Sequence, residues 1–220
     1  SIADLYRKEY GREVFVVRNI TDANYPSFSA TREDLGLPLD KKIVIMQGAG
    51  INIDRGGEEM IEAIQLVEDA ILIIVGDGDV VPLLKEKVKK DQLEEKVLFF
   101  GKRPYAELMN FTALSDVGIS MDKNSNINYR FSLPNKIFDY MLAKKPIIQA
   151  INSKGNQVEI ARSGLNILPE NADFFADAIN SMCAKEDNEL KALGENGYSY
   201  LINHCQYSQI AQHILSEVEK

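Results

Sequence analysis

Cysteine and histidine are scarce in this chain of 220 residues, which holds two of each. Cys183 and Cys205 show neither metal-ligand spacing nor a redox pair, and they suit a reducing compartment. His204 beside Cys205 has no further ligand types nearby in the sequence, so a packed or solvated role outweighs a metal site. Both histidines stand near the C-terminus, leaving Thr112, Ser115 and Ser120 without the His–acid partners of a hydrolase triad. Positive charge is also short: 25 Lys and Arg against 33 Asp and Glu give a net −8, which argues against nucleic acid. A local basic pocket for one small anion remains compatible with that balance. No apolar run reaches the ~18 residues of a membrane span.

What is present is globular material, 45% hydrophobic and 26% charged, with length enough for a sizeable core. The chain opens at Ser1 inside an amphipathic segment, so it is expected to belong to a longer protein. Residues 2–10 read as the tail of a helix ended by Gly11, and 13–19 as a short strand. A polar connection at 24–27 and a small helix over 32–35, capped by Thr31, complete a leader. Residues 1–40 thus read as the end of a preceding domain plus a connection, and 41–220 as the main domain.

From residue 41 the pattern is regular. Continuous apolar runs at 42–47 and 70–75 predict strands buried on both faces. Further strands are expected at 96–100, 116–120, 146–150 and 165–168. Helices are expected up to about 66, at 80–90, 104–111, from 134, at 172–183, 187–203 and 208–218, with a segment at 156–162. Strands and helices alternate without hairpins. The prediction is an α/β, Rossmann-like, doubly wound parallel sheet of about six strands with helices on both faces.

Ligands of such sheets gather beyond the carboxyl ends of the strands. Three loops there can carry chemistry. Gly48-x-Gly50 lets backbone approach a phosphate, with Arg55 to supply charge and Gly56-Gly57 opening a helix. It lacks the third glycine of a dinucleotide fingerprint, because position 53 is Ile53, and it lacks the Gly-Lys-Ser/Thr of a P-loop. It reads equally as a turn or a ligand loop. Gly76-Asp77-Gly78 is a second G-x-G that a tight turn explains by itself, and Gly101-Lys102-Arg103 places two cations after a strand. A fourth stretch, Ser132-Leu133-Pro134-Asn135-Lys136-Ile137-Phe138-Asp139, sets a proline at a helix start whose amides attract anions. Asn135, Lys136 and Asp139 fall on one side of that helix.

Four segments in order resemble one family: the Gly48-x-Gly50…Arg55-Gly56 loop, Ile74-Val75-Gly76-Asp77-Gly78, Val97 to Gly101 with Tyr105-Ala106-Glu107-Leu108, and Leu133 to Pro146. Together they resemble the C-terminal, donor-binding domain of GT-B glycosyltransferases of family 4, the glycosyltransferases group 1 domain, over about 40–185. The resemblance implies a retaining transferase that binds a UDP- or GDP-linked sugar at the strand ends. It implies catalytic roles for Arg55, on the donor diphosphate, and Asp139, on the ribose hydroxyls. It further implies diphosphate contacts from amides around Ser132 and Leu133, and a base near Gly101 and Lys102. Lys136 ranks lower, as a helix-surface or packing residue. A second family arginine falls at Gly50, and the family's sugar-facing glutamate has no counterpart among Asn128, Tyr129, Arg130 and Phe131.

No metal or other cofactor is implied. The expected partners are the nucleotide-sugar donor and a glycan or lipid-linked acceptor held by an N-terminal domain, toward which the helix at 208–218 would cross back. A cytoplasmic enzyme of bacterial surface polysaccharide or lipopolysaccharide synthesis is expected, compatible with peripheral association at the inner membrane. This chain alone would bind donor without turnover. A nucleotide-sugar epimerase of the same architecture and a catalytically silent nucleotide-binding module are the alternatives, with an NAD-binding domain more distant.

Overall fold

The computed structural model describes residues 2–17, 19–20, 28–123, 125–131, 133–151, 156–169 and 171–218. Six strands form one parallel sheet: β1 (Lys42–Gly48), β2 (Ala70–Gly76), β3 (Val97–Phe99), β4 (Val117–Met121), β5 (Ile147–Ala150) and β6 (Gly164–Ile167). The helices are α1 (Ile2–Tyr10), α2 (Gly57–Gln65), α3 (Val81–Lys90), α4 (Tyr105–Leu114), α5 (Ile127–Arg130), α6 (Lys136–Leu142), α7 (Gln157–Ala161), α8 (Ala172–Cys183), α9 (Asp187–His204) and α10 (Tyr207–Val218). Spatial order is β3-β2-β1-β4-β5-β6, so the winding reverses between β1 and β4. That reversal opens a crevice at the carboxyl ends of these two strands.

The sheet is buried on both faces because its strands are apolar at nearly every position, not at alternate ones. Val44, Met46, Leu72 and Ile74 point to one core with Met60, Leu84, Phe175 and Ile179 from α2, α3 and α8. Their neighbours Ile43, Ile45, Ile71 and Ile73 point to the other, with Met109, Phe138, Val158 and Leu201 from α4, α6, α7 and α9. Helix α6 lies unusually close to the sheet. A Cβ on Gly118 would fall 2.4 Å from the Tyr140 ring, and the Tyr140 hydroxyl lies 2.9 Å from the Ile119 carbonyl and 3.2 Å from that of Ile45.

The alternation of strands and helices is as the pattern predicts, but the leader differs. Among the described residues, 13–17 form no strand, and Phe15, Val16 and Val17 are exposed. Their aromatic and β-branched run matches strand propensity, yet propensity without a pairing neighbour fixes nothing. This stretch instead meets α10: the Phe15 and His213 rings meet edge-on at 5.9 Å, and the Tyr207 hydroxyl donates to the Ile20 carbonyl at 2.9 Å. The helix expected over 32–35 is a turn, in which the Thr31 hydroxyl donates to Asp34 at 2.8 Å. The connection at 24–27 and Ser132 lie outside the described residues. Helix α6 begins at Lys136, two residues beyond the proline, with Ile137 N–H donating to the Pro134 carbonyl at 3.1 Å.

Candidate functional site

A cavity of about 600 Å³ fills the crevice at the β1–β4 reversal. Its floor is Gln47, Gly48, Ala49 and Gly50 at the end of β1, and its walls include Arg55, Tyr105, Pro134, Asn135, Lys136 and Asp139. Volume of that order suits a small-molecule ligand. Residues far apart in sequence meet here because parallel strands deliver all their carboxyl ends to one edge.

Arg55 is carried by a tight turn after β1. Its N–H donates to the Asn52 carbonyl at 3.1 Å, Asp54 takes a left-handed φ of 66°, and Gly56 takes one of 70° and caps α2. Gly56 must be glycine for space as well, since a Cβ there would fall 1.2 Å from the Met121 sulfur at the end of β4. The turn is fastened to the residues after β4 at two further points. Lys123 N–H donates to the Asp54 carbonyl at 2.9 Å, and Lys123 Nζ pairs with Glu59 Oε1 at 2.6 Å. The Arg55 guanidinium forms an ion pair with Asp122 and lies 4.5 Å from the centroid of the Tyr129 ring.

Asp139 sits on the first turn of α6 and is 7% exposed. Its carboxylate accepts from the Tyr105 hydroxyl at 2.7 Å on Oδ1 and from Gln47 Nε2 at 3.2 Å on Oδ2. Gln47 is itself fixed, because the Thr112 hydroxyl donates to its Oε1 at 2.6 Å.

Lys136, ranked from sequence as a helix-surface or packing residue, lines the cavity with its ammonium beside the Gly48 loop, where a Cβ placed on Gly48 would stand 3.7 Å from its Nζ. Burial pushes its ammonium down to about 8; the Asp122 carboxylate opposes that, Arg55 adds to it, and Asp139 opposes it. The cavity therefore holds two cations, Arg55 and Lys136, with Asp122 buried behind them at 3% exposure. Asp122 is not among the residues that the sequence singles out for the site. The available signal was an acid at the carboxyl end of the strand beside the reversal.

Of the residues singled out from sequence, Gly48, Gly50, Arg55, Pro134, Asn135, Lys136 and Asp139 line the cavity together. Leu133 packs against the core on the α6 side of the sheet. Gly56 serves the turn. Gly76 lets β2 approach β1, since a Cβ there would fall 1.8 Å from the Gly48 carbonyl oxygen. Gly78 passes close to the Ile51 backbone, where a Cβ would fall 2.2 Å from the carbonyl oxygen, and Asp77 is exposed and accepts a bond from the Gly78 N–H at 2.9 Å. These three support the neighbouring loop and do not line the cavity. Gly101 and the exposed Lys102 lie outside the lining as well.

The whole architecture recurs in solved structures. Sucrose-phosphate synthase from Thermosynechococcus elongatus superposes with a TM-score of 0.82 at 20% identity, over 98% of this chain and 55% of that one. Anabaena HepE in complex with UDP and glucose gives 0.76 at 19%, over 93% of this chain and 56% of that one. The C-terminal domain of the group 1 family protein LpcC from Francisella tularensis gives 0.67 at 17%, over 85% of this chain and 99% of that one. The chain thus spans somewhat over half the length of the first two, and it corresponds to a whole C-terminal domain in the third. Among curated proteins none matches. The family model described as Glycosyl transferases group 1 matches residues 27–200, and the chain belongs to that family as a C-terminal domain of GT-B type.

Proposed function

We propose that this chain is the donor-binding half of a retaining glycosyltransferase that takes a hexosyl group from a UDP- or GDP-linked sugar. The observation that carries this reading is the convergence of Arg55, Lys136, the Gly48–Gly50 backbone and Asp139 on one cavity. A nucleoside diphosphate has matching parts: an anionic diphosphate for the two cations, and vicinal ribose hydroxyls to donate to the Asp139 carboxylate. Arg offers a planar fork to phosphate oxygens and Lys a compact charge. When the glycosidic bond to the diphosphate breaks, charge grows on the leaving phosphate, and fixed cations stabilise it most there. Arg55 and Lys136 do that work in this reading, without a metal ion. Gly101 and Lys102, outside the cavity lining, would lie toward the base in this reading.

HepE in complex with UDP supports the choice of nucleotide, and WaaG, described as involved in lipopolysaccharide biosynthesis, supports a bacterial surface glycan as product. The acceptor, a glycan or lipid-linked sugar, would be held by the half of the enzyme that the longer relatives possess and this chain does not span. That enzyme would work in the cytoplasm, with the inner membrane's inner face as the place of a lipid-linked acceptor. Among the described residues no helix is long and apolar enough to cross a membrane.

The test is a calorimetric and thermal-shift titration with UDP, GDP and NAD. UDP or GDP should stabilise the chain and NAD should not; Arg55→Ala and Asp139→Ala should each abolish the shift. Absence of a shift with every nucleoside diphosphate would overturn the reading.

A further inference from the structure

Two cations facing one cavity repel each other, and partial burial strengthens that repulsion. Something must offset it before any anion arrives. Asp122 is the buried acid placed to do so: it terminates the strand beside the reversal, is 3% exposed, and is ion-paired with Arg55. It does not line the cavity, so it acts through its neighbours and not on a ligand. The charged groups facing Lys136 are Asp122 after β4, Arg55 on the turn after β1, and Asp139 on its own helix.

We infer that Asp122 is a positioning residue of this site. Its carboxylate fixes Arg55 against Tyr129 and supplies the negative charge that lets Arg55 and Lys136 stand as cations in one pocket. This rests on the donor reading above for its consequence in binding, but not for the charge arrangement itself. A merely structural role for Asp122 is already covered by other bonds, since Lys123 ties the same turn to β4 through the Asp54 carbonyl and Glu59. Removing only the charge therefore leaves the turn fastened. What changes is the freedom of Arg55 and the cost of protonating Lys136.

Two measurements separate the possibilities. The first follows the Lys136 ammonium in the ligand-free chain by NMR titration of its side-chain carbon signals. Asp122→Asn should move its midpoint down by about one pH unit, Asp122→Glu should leave it near the native value, and Arg55→Ala should move it up. The second is a double-mutant cycle on UDP affinity near pH 7. Arg55→Ala should cost about tenfold or more in the native background and less than about threefold beside Asp122→Asn, because an unfixed Arg55 has little left to lose. An unmoved Lys136 midpoint in both Asp122→Asn and Arg55→Ala, or an equal Arg55→Ala cost in both backgrounds, overturns the inference. If the native chain binds no UDP, the donor reading falls, and the Lys136 titration still decides this one.

Discussion

Gln47 on β1 and Asp139 on α6 are joined across the strand–helix interface, with Gln47 Nε2 donating to Asp139 Oδ2 at 3.2 Å. Both are buried, and the bond continues to Thr112 on α4 through a 2.6 Å contact. The carboxylate that faces the cavity is therefore held by two other elements, β1 through Gln47 and α4 through Tyr105 and Thr112. Gln47→Leu roughly keeps the volume but removes the donor on Asp139 Oδ2, while the Thr112 hydroxyl retains the Leu108 carbonyl at 3.0 Å. Buried polar groups left unpaired cost about 1–3 kcal/mol each. Urea denaturation should show a loss within that range, with UDP affinity falling as Asp139 loosens.

Lys136 titrates at about 8 in the folded chain against an ordinary 10.5. Between those values the unfolded chain binds more protons, so the native stability should rise with pH across that window. Below it, the buried charge is a standing cost. Lys136→Met should be more stable than the native chain at pH 7 by ~1–3 kcal/mol, discounted for partial exposure. The advantage should shrink from about pH 8 and be gone above about pH 10.5. Denaturant midpoints at a series of pH values check both the sign and the window.

The same proton governs ligand binding in the proposed function. UDP affinity should be level up to about pH 8 and decline above it as the ammonium is lost. Lys136→Arg should flatten the decline, since guanidinium stays charged there. Calorimetry across pH 6.5–9.5, an estimated window bracketing that midpoint, reads both curves.

Gly56 and Gly101 share a left-handed backbone, with φ of 70° and 66°, but differ in space. Around Gly101 an added Cβ meets nothing within 4 Å, whereas at Gly56 it strikes Met121. Gly101→Ala should cost about 1 kcal/mol from backbone strain alone. Gly56→Ala should cost about 2–4 kcal/mol, and Met121→Ala should recover part of that difference. Chemical denaturation of the three variants separates strain from overlap.

The sheet was legible because burial on both faces leaves strands apolar throughout, as at 42–47 and 70–75, and nothing else in the chain looks like them. The leader was not, because Val16 and Val17 carry strand propensity without a partner strand to pair with. In the site, Arg55 and Asp139 could be named because each lies inside a local motif. Lys136 lies in the motif of Asp139, but its meeting with the Gly48 loop, like that of Arg55 and Asp122 across 67 residues, comes from the packing of distant segments. Spacing along the chain does not fix which distant partner a charge will meet.

The contact of Tyr140 with Gly118 has a mechanical side. The ring stands where any other residue on β4 would place a side chain, and its hydroxyl lies within reach of carbonyls on two adjacent strands. Helix α6 can therefore neither slide along the sheet nor roll upon it without breaking that seat, and Asp139 is its immediate neighbour in sequence. The cavity wall that carries Lys136 and Asp139 is thereby seated on the sheet through one ring, and a change at Gly118 or Tyr140 reaches the cavity without touching any residue that lines it.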